Sequence, residues 1–214
     1  MLVLEEGLNE KFHELIPPEV STIRLSESVE GDWDTLDTPA ADFRPNPDDV
    51  AFFQTTSSST GDHKAVAISH GNIIANVRGI RKAVHMDNNE SMVSWLPLFH
   101  DMGLVGAVLF CFCNDYPLYL MTPTQFVKRP AMWLRSMNDY GCTIATAPNF
   151  GYDHCSRLIS DKDVSRWNLQ HVKHLFVGAE PIRVSTISSF TEKFKPAGIR
   201  PEMIRPAYGL AEST

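Results

Sequence analysis

The sequence is short of positive charge: 19 lysines and arginines face 26 aspartates and glutamates, a formal net charge of −7. No basic face is evident to neutralise a nucleic-acid backbone, so a bulk polyanion is excluded as a partner, whereas a small anion held by a local loop is not. Long apolar runs are also missing. The nearest, Gly103 to Cys113, is too short to span a bilayer, so no membrane span is expected. Cysteine is sparse. The 4 residues at 111, 113, 142 and 155 lack both the CxxC spacing of a zinc site and the density of a disulfide scaffold. Cys111 and Cys113 lie in an apolar run, which reads as reduced core thiols in a cytoplasmic protein. Leu2-Val3-Leu4 followed by Glu5-Glu6 is too short and too acidic for a signal peptide. Neither the G-x-S-x-G elbow of a hydrolase nor the G-x-x-x-x-G-K-S/T loop of a P-loop nucleotidase occurs.

What is present centres on Thr55 to Val66, TTSSSTGDHKAV, a run of small hydroxyl side chains ending in one glycine and one lysine. Phosphate oxygens need several donors converging from one side, and such a turn supplies backbone N–H groups and hydroxyls while Lys64 supplies charge. Val50-Ala51-Phe52-Phe53 upstream reads as a short buried strand and Ala65-Val66-Ala67-Ile68 downstream as another, pinning the loop at both ends. Composition alone favours the duller reading, a solvated Ser/Thr linker.

Residues 1–47 read as a partial N-terminal segment and acidic linker. Leu8, Phe12, Leu15 and Ile16 suit a short helix ended by Pro17-Pro18, Val20 to Leu25 a strand, and Ser26 to Asp49 an acidic surface connection. Residues 48–214 read as one core. Ser69 is a candidate N-cap for a helix running to about Val84, with Ile73, Val77, Ile80 and Val84 on its inner face. Val93 to Leu96 is a strand stopped by Pro97, followed by an apolar helix that starts near His100 and Asp101. Adjacent residues do not share a helix face, so these two are not expected to form an orienting pair. Pro130 opens a helix with Trp133, Leu134 and Met137 inward and Gly141 closing it. Thr143 to Ala147 and His174 to Val177 are strands, Ile187, Phe190 and Phe194 mark a further helix, and Met203 to Ala207 leads into Tyr208-Gly209.

Strand and helix alternate, so the fold class is α/β with a mostly parallel sheet flanked by helices. Right-handed crossovers place Pro97–His100, Pro148–Phe150, Gly178–Pro181 and Tyr208–Glu212 at one sheet edge. A flat aromatic (Tyr208), turns with Gly178 and Gly209, and a carboxylate (Glu212) suit a nucleotide with its magnesium ion. Each has a plain alternative: Tyr208 as core, Glu180 as solvated charge, Glu212 as a helix-start charge, His100 as a hydrogen-bonded boundary residue.

Together with the hydroxyl loop, WLPLFHDMGL at 95–104, APNFGYD at 147–153, FVGAEPI at 176–182 and YGLAEST at 208–214 stand in the order and spacing of the motifs of adenylate-forming enzymes. The chain from about Asp48 onward most closely resembles the fatty acyl-AMP ligases. The resemblance implies the N-terminal large domain of such an enzyme, in which ATP and a fatty or other carboxylic acid give an acyl-adenylate and pyrophosphate. The acyl group then passes to the thiol of an acyl carrier protein or, in sister families, of coenzyme A. It implies that Thr56, Ser57, Ser58, Ser59, Thr60, Gly61 and Lys64 hold the β- and γ-phosphates and that His100 borders the acyl carboxylate. Asn149, Phe150 and Gly151 would wall the acyl channel, Gly178, Ala179, Glu180 and Pro181 line the adenine, Tyr208 with Gly209 stack on it, and Glu212 ligate Mg2+. His100 and Lys64 are the candidate catalytic residues.

The loop departs from the family pattern at Ser58, His63 and Ala65, which stand for the usual glycine, proline and glycine. Ala211, before the glutamate, matches the fatty acyl-AMP ligases rather than the wider superfamily, which has threonine there. The ribose aspartate and lysine-bearing C-terminal domain of full members have no counterpart in the sequence, so a partial chain needing a companion polypeptide is expected, with exposed apolar surface. An adenylating enzyme, a nucleotide- or acyl-binding module without turnover, and a decayed paralogue all remain open.

Overall fold

The computed structural model describes residues 2–4, 22–24, 44–56 and 64–214. The chain divides into two compact units, Met1–Arg44 and Pro45–Thr214. In the first, β1 (Leu2–Leu4) pairs in parallel with β2 (Thr22–Arg24), inside the strand expected over Val20 to Leu25. The helix expected from Leu8 to Ile16 lies outside the described residues.

In the second unit a strand whose residues are buried on both faces must be covered on both faces, and three strands meet that description. β5 (Met92–Ser94), β7 (Ile144–Pro148) and β8 (His174–Gly178) form the interior of a five-stranded sheet edged by β6 (Leu118–Leu120) and β9 (Ile204–Pro206). Its order is β6-β5-β7-β8-β9, with every pairing parallel. Successive side chains on these strands go to opposite layers. Val93, Ala145, Leu175 and Val177 join one core with Trp133, Leu134, Met137, Tyr152, Phe190 and Phe194. Met92 and Ile144 join the other with Ile73, Val77, Ala107 and Phe110.

Among the helices that supply those residues, the first begins at a side-chain cap that the sequence provides. In α1 (His70–Ala83) the Ser69 hydroxyl accepts from the Asn72 backbone N–H, while the Asn72 side chain accepts from Ser69, a reciprocal cap. Next come α2 (Asp101–Gly103), a π-helical stretch Leu104–Leu109 and α3 (Phe110–Asn114) in direct succession. They are followed by α4 (Pro123–Lys128), α5 (Ala131–Tyr140), α6 (Asn149–Leu158), α7 (Asp161–Val164) and α8 (Val184–Phe194). Gly141 ends α5 at φ 65°, where a side chain would be strained. Three-residue 3-10 turns at Lys195–Ala197, Pro201–Met203 and Ala211–Ser213 complete the unit. No helix among the described residues is long and apolar enough to cross a membrane.

Two expectations are corrected, and two elements are new. Val50–Phe53 is no buried strand. β3 (Val50–Thr55) pairs antiparallel with β4 (Ala65–Ser69) in a separate two-stranded ribbon, with Phe53 67% exposed and Gln54 as its buried residue. β6 and α4 were not anticipated, because Leu118-Tyr119-Leu120 is too short to show a period. Cys113 is exposed, whereas Cys111, Cys142 and Cys155 are buried, and all 4 are free thiols. Burial pushes the Cys111 thiol up to about 12 and the Cys142 thiol to about 11, and raises Cys155 further. Alkylation of the native protein followed by mass spectrometry should therefore modify Cys113 alone within minutes, with the other thiols reacting only after unfolding.

A cleft of about 500 Å³ opens at the C-terminal end of α1, lined by Arg78, Arg81, Lys82 and His85 over Ile74 and Val77. Its cations sit where helix carbonyls favour positive charge. Arg81 is engaged by the Met86 carbonyl, Asn88, Asn114 and the Tyr116 ring.

Candidate active site

In a parallel sheet the C-terminal strand ends open a crevice lined by loops, and here β5, β7, β8 and β9 deliver their loops to that edge. Hydrogen bonds knit these loops together. The Glu180 carboxylate, in the loop after β8, accepts from the Phe150 backbone N–H at 2.6 Å and so satisfies a free donor in the first turn of α6. The Asn149 side-chain oxygen accepts from the Arg183 backbone N–H at 2.9 Å, and its amide reaches Thr186 at 3.4 Å. Asn149 is buried and fastens the β7 end to the β8 end, while Phe150 is half-exposed. Gly151 is buried against Trp95: a Cβ there would lie 3.0 Å from the indole and 3.0 Å from Ala147 Cβ.

The β8–β9 junction is tighter still. The Ala207 N–H donates to the Val177 carbonyl at 2.8 Å, and a Cβ on Gly178 would lie 2.5 Å from the Ala207 carbonyl oxygen. Gly178 is thus required by the neighbouring strand, whatever ligand approaches it. Ala179 follows at φ 62°, a left-handed conformation that costs a non-glycine residue about 1 kcal/mol. Beyond it, Tyr208 is 90% exposed, which removes its reading as a core residue and leaves a ring face free. Gly209 has open space around it.

The remaining pieces are joined to this edge from the other side. Thr56 N–H donates to the Lys64 carbonyl at 2.9 Å, closing the base of the hydroxyl loop. Ser57, Ser58, Ser59, Thr60 and Gly61 lie outside the described residues. The buried Gln54 amide, two residues before Thr56, donates to the Phe99 carbonyl at 3.2 Å and ties the ribbon to the turn that carries His100. Asn76 of α1 donates to the Ser213 carbonyl at 3.3 Å, holding the turn that carries the exposed Glu212. Gln54 and Asn76 were not singled out from the sequence, since polar side chains that bind distant backbone leave no local pattern.

His100 precedes α2 as its N-cap rather than lying within a helix. Its Nδ1 lies 2.8 Å from Asp101 Oδ1, and the Met102 N–H lies 3.1 Å from that nitrogen and 2.5 Å from that oxygen. The two side chains thus meet even though adjacent residues inside a helix do not share a face: His100 is a capping residue whose extended backbone turns its side chain toward the first turn, where its Nδ1 accepts from the Met102 N–H. Gly103 makes the turn possible by packing directly under Pro97.

Among the described residues no group of three or more His, Cys, Asp or Glu side chains could hold a metal ion. The lone carboxylate Glu212 nevertheless fits magnesium, which takes one or two protein carboxylates and draws its other ligands from phosphates and water.

The family model for AMP-binding enzymes matches residues 5–214. Over 220 residues the chain is 36% identical to a medium-chain-fatty-acid–acyl-carrier-protein ligase of Teredinibacter turnerae, covering 100% of this chain and 34% of that protein. It is 40% identical over 179 residues to a long-chain-fatty-acid–AMP ligase of Mycolicibacterium smegmatis, covering 79% and 28%. The chain spans about a third of the length of the curated relatives it matches. Its structure superposes with a TM-score of 0.84 on a fatty acyl-adenylate ligase from L. pneumophila solved with acyl adenylate and pyrophosphate, at 34% identity over 98% of this chain and 36% of that one.

Proposed function

The chain belongs to the AMP-binding enzyme family, and from that premise we propose that it is the nucleotide- and acid-binding core of a fatty acyl-AMP ligase. In the reaction a fatty-acid carboxylate oxygen attacks the α-phosphorus of ATP, the bond from that phosphorus to the bridging oxygen of the leaving group breaks, and pyrophosphate departs. The observation that carries this reading is the joining of three strand-end loops, those after β7, β8 and β9, at one sheet edge by the Glu180–Phe150, Asn149–Arg183 and Gly178–Ala207 contacts. That edge meets the ribbon bearing the hydroxyl loop through Gln54 and Phe99.

Two anions must meet for this reaction, so donors and cations have to stand where charge accumulates. In this reading Thr56, Ser57, Ser58, Ser59, Thr60 and Gly61 donate to the β- and γ-phosphates, Lys64 offsets their charge, and His100 holds the carboxylate. Tyr208 and Gly209 stack on adenine above Gly178, Ala179, Glu180 and Pro181, and Phe150 and Gly151 face the acyl chain, with Asn149 fixing their helix. Magnesium, held by Glu212, supplies further charge neutralisation when bound. The acceptor we assign is the thiol of an acyl carrier protein, supported by the activity of the Teredinibacter relative.

Calorimetry with ATP and with a non-hydrolysable fatty-acyl adenylate analogue tests the reading. Analogue at about a hundred times its Kd should raise stability by about 2.7 kcal/mol. Acid-dependent exchange of labelled pyrophosphate into ATP reports the chemistry. Absence of both binding and exchange for every chain length tried overturns the proposal.

A further inference from the structure

We propose that Gln54 is a positioning residue whose side-chain amide fixes the phosphate loop against the turn that carries His100, so that a phosphate bound in the loop also orders the residue that holds the acid. The inference rests on the reading of the hydroxyl loop as the phosphate site and of His100 as the group facing the acyl carboxylate. The reaction needs such a link. A carboxylate oxygen and a phosphorus react when held about 3–3.5 Å apart, and here the segments that would hold the two reactants are distant in sequence.

Gln54 is the buried residue of β3, 7% exposed, and stands between the exposed Phe53 and Thr55. A buried amide is costly unless its hydrogens find acceptors. Its Nε2 group donates to the Phe99 carbonyl at 3.2 Å and, at the longer distance of 3.5 Å, reaches the Thr55 carbonyl. Each of these carbonyls belongs to a peptide unit that is also held at its N–H. The Thr56 N–H donates to the Lys64 carbonyl at 2.9 Å across the base of the loop, and the His100 N–H donates to the Pro97 carbonyl at 3.2 Å within the turn. One amide therefore bridges the peptide that opens the phosphate loop and the peptide that leads into His100.

Apolar packing does not supply this link. Phe52 and Ile68 seat the ribbon on the core that contains Val77 and Phe110, but that attraction has no direction. The phenylalanines beside the join, Phe53 and Phe99, are 67% and 84% exposed. A hydrogen bond prefers both a distance and an angle, so a shift of the loop base turns the Phe99–His100 peptide with it, and His100 follows.

Magnesium pyrophosphate titrated into the nitrogen-15-labelled full chain tests the link without requiring turnover. In the wild type the Thr56 and Lys64 amide signals should shift, and those of His100 and Gly103 should shift with the same half-saturating concentration. Gln54→Met keeps the length of the side chain and loses the donor, so the loop signals should still move while the turn signals stay in place. Gln54→His sets an Nε2–H at the same number of bonds from Cα and should restore the turn shifts. Gln54→Glu, a second variant with the shape of glutamine and no amide hydrogens, should behave like Gln54→Met. Turn signals that move equally in the donor-less variants, or wild-type loop signals that move without the turn, overturn the link and leave the proposed function standing. A wild type in which neither set moves overturns the phosphate reading of the loop, and the link with it.

Discussion

Replacing Gly103 with alanine should lower stability by about 3 kcal/mol, the upper end for overpacking a dense interior. A methyl group there would stand 2.2 Å from the Pro97 carbonyl oxygen, 3.0 Å from its carbon and 3.2 Å from the Leu96 carbonyl oxygen. All three atoms are backbone, so no rotamer change relieves the contact. The chain must instead lift the Pro97–His100 turn or unwind α2, whose first turn is held by the Gly103 N–H and Leu104 N–H donating to the His100 carbonyl, each at 2.9 Å. For a unit of this size the loss corresponds to a fall in Tm of roughly 6–12 °C. Thermal unfolding followed by circular dichroism checks the number. Calorimetry with the acyl-adenylate analogue should show weaker binding even below the transition, because His100 moves with the turn. A Tm within a degree of wild type would mean that the turn relaxes without cost.

Lys173→Met is expected to cost about 2 kcal/mol. The Glu90 side chain is 1% exposed, and its carboxylate receives Lys173 Nζ at 2.9 Å and the Thr143 hydroxyl. Removing one partner of a buried ion pair leaves the other charge uncompensated, worth about 3–5 kcal/mol when both are buried. Here the lysine side chain is 41% exposed, so water reaches the site and the expected figure is lower. The Glu90→Gln, Lys173→Met double variant should recover part of the loss, and a double-mutant cycle by urea unfolding measures the coupling. The hydrogen bond to Glu90, and then that to Asp87, raises the Lys173 pKa above 10.5. A raised folded-state value means that the lysine's stabilising effect is complete below pH 10.5 and disappears as pH climbs through the folded value. Wild type and variant should therefore converge in stability in strong alkali.

Much of the second unit was legible in the sequence because its elements carry strong local signals. Ser69 before the Ile73/Val77 stripe, Gly141 after Trp133, Leu134 and Met137, and the β-branched run before Pro148 each state a start, an inner face or a stop. Alternation of such elements implied parallel strands, and parallel strands brought the unusual loops to one edge. β6 escaped notice because three residues show no period. The ribbon misled for a different reason. Val50-Ala51-Phe52-Phe53 is apolar enough to read as interior, but apolar composition does not say whether a second layer exists to cover it, and Phe53 has none among the described residues. The contact between His100 and Asp101 was missed because a rule for residues inside a helix was applied to one residue outside it. Gln54, Asn76 and Glu180 each bind backbone more than twenty positions away, a relation that only the folded chain displays.

The two rims of the five-stranded sheet differ in kind. Glu90, Thr143 and Lys173 lock together the entries of β5, β7 and β8, whereas the exits bear the loops with Phe150, Glu180 and Tyr208. Rigidity is anchored at one rim, and the proposed chemistry lies at the other. With that division, substitutions in the exit loops should leave intact the clasp that keeps the strands in register, which separates the positions a protein engineer should vary from those that should be left alone.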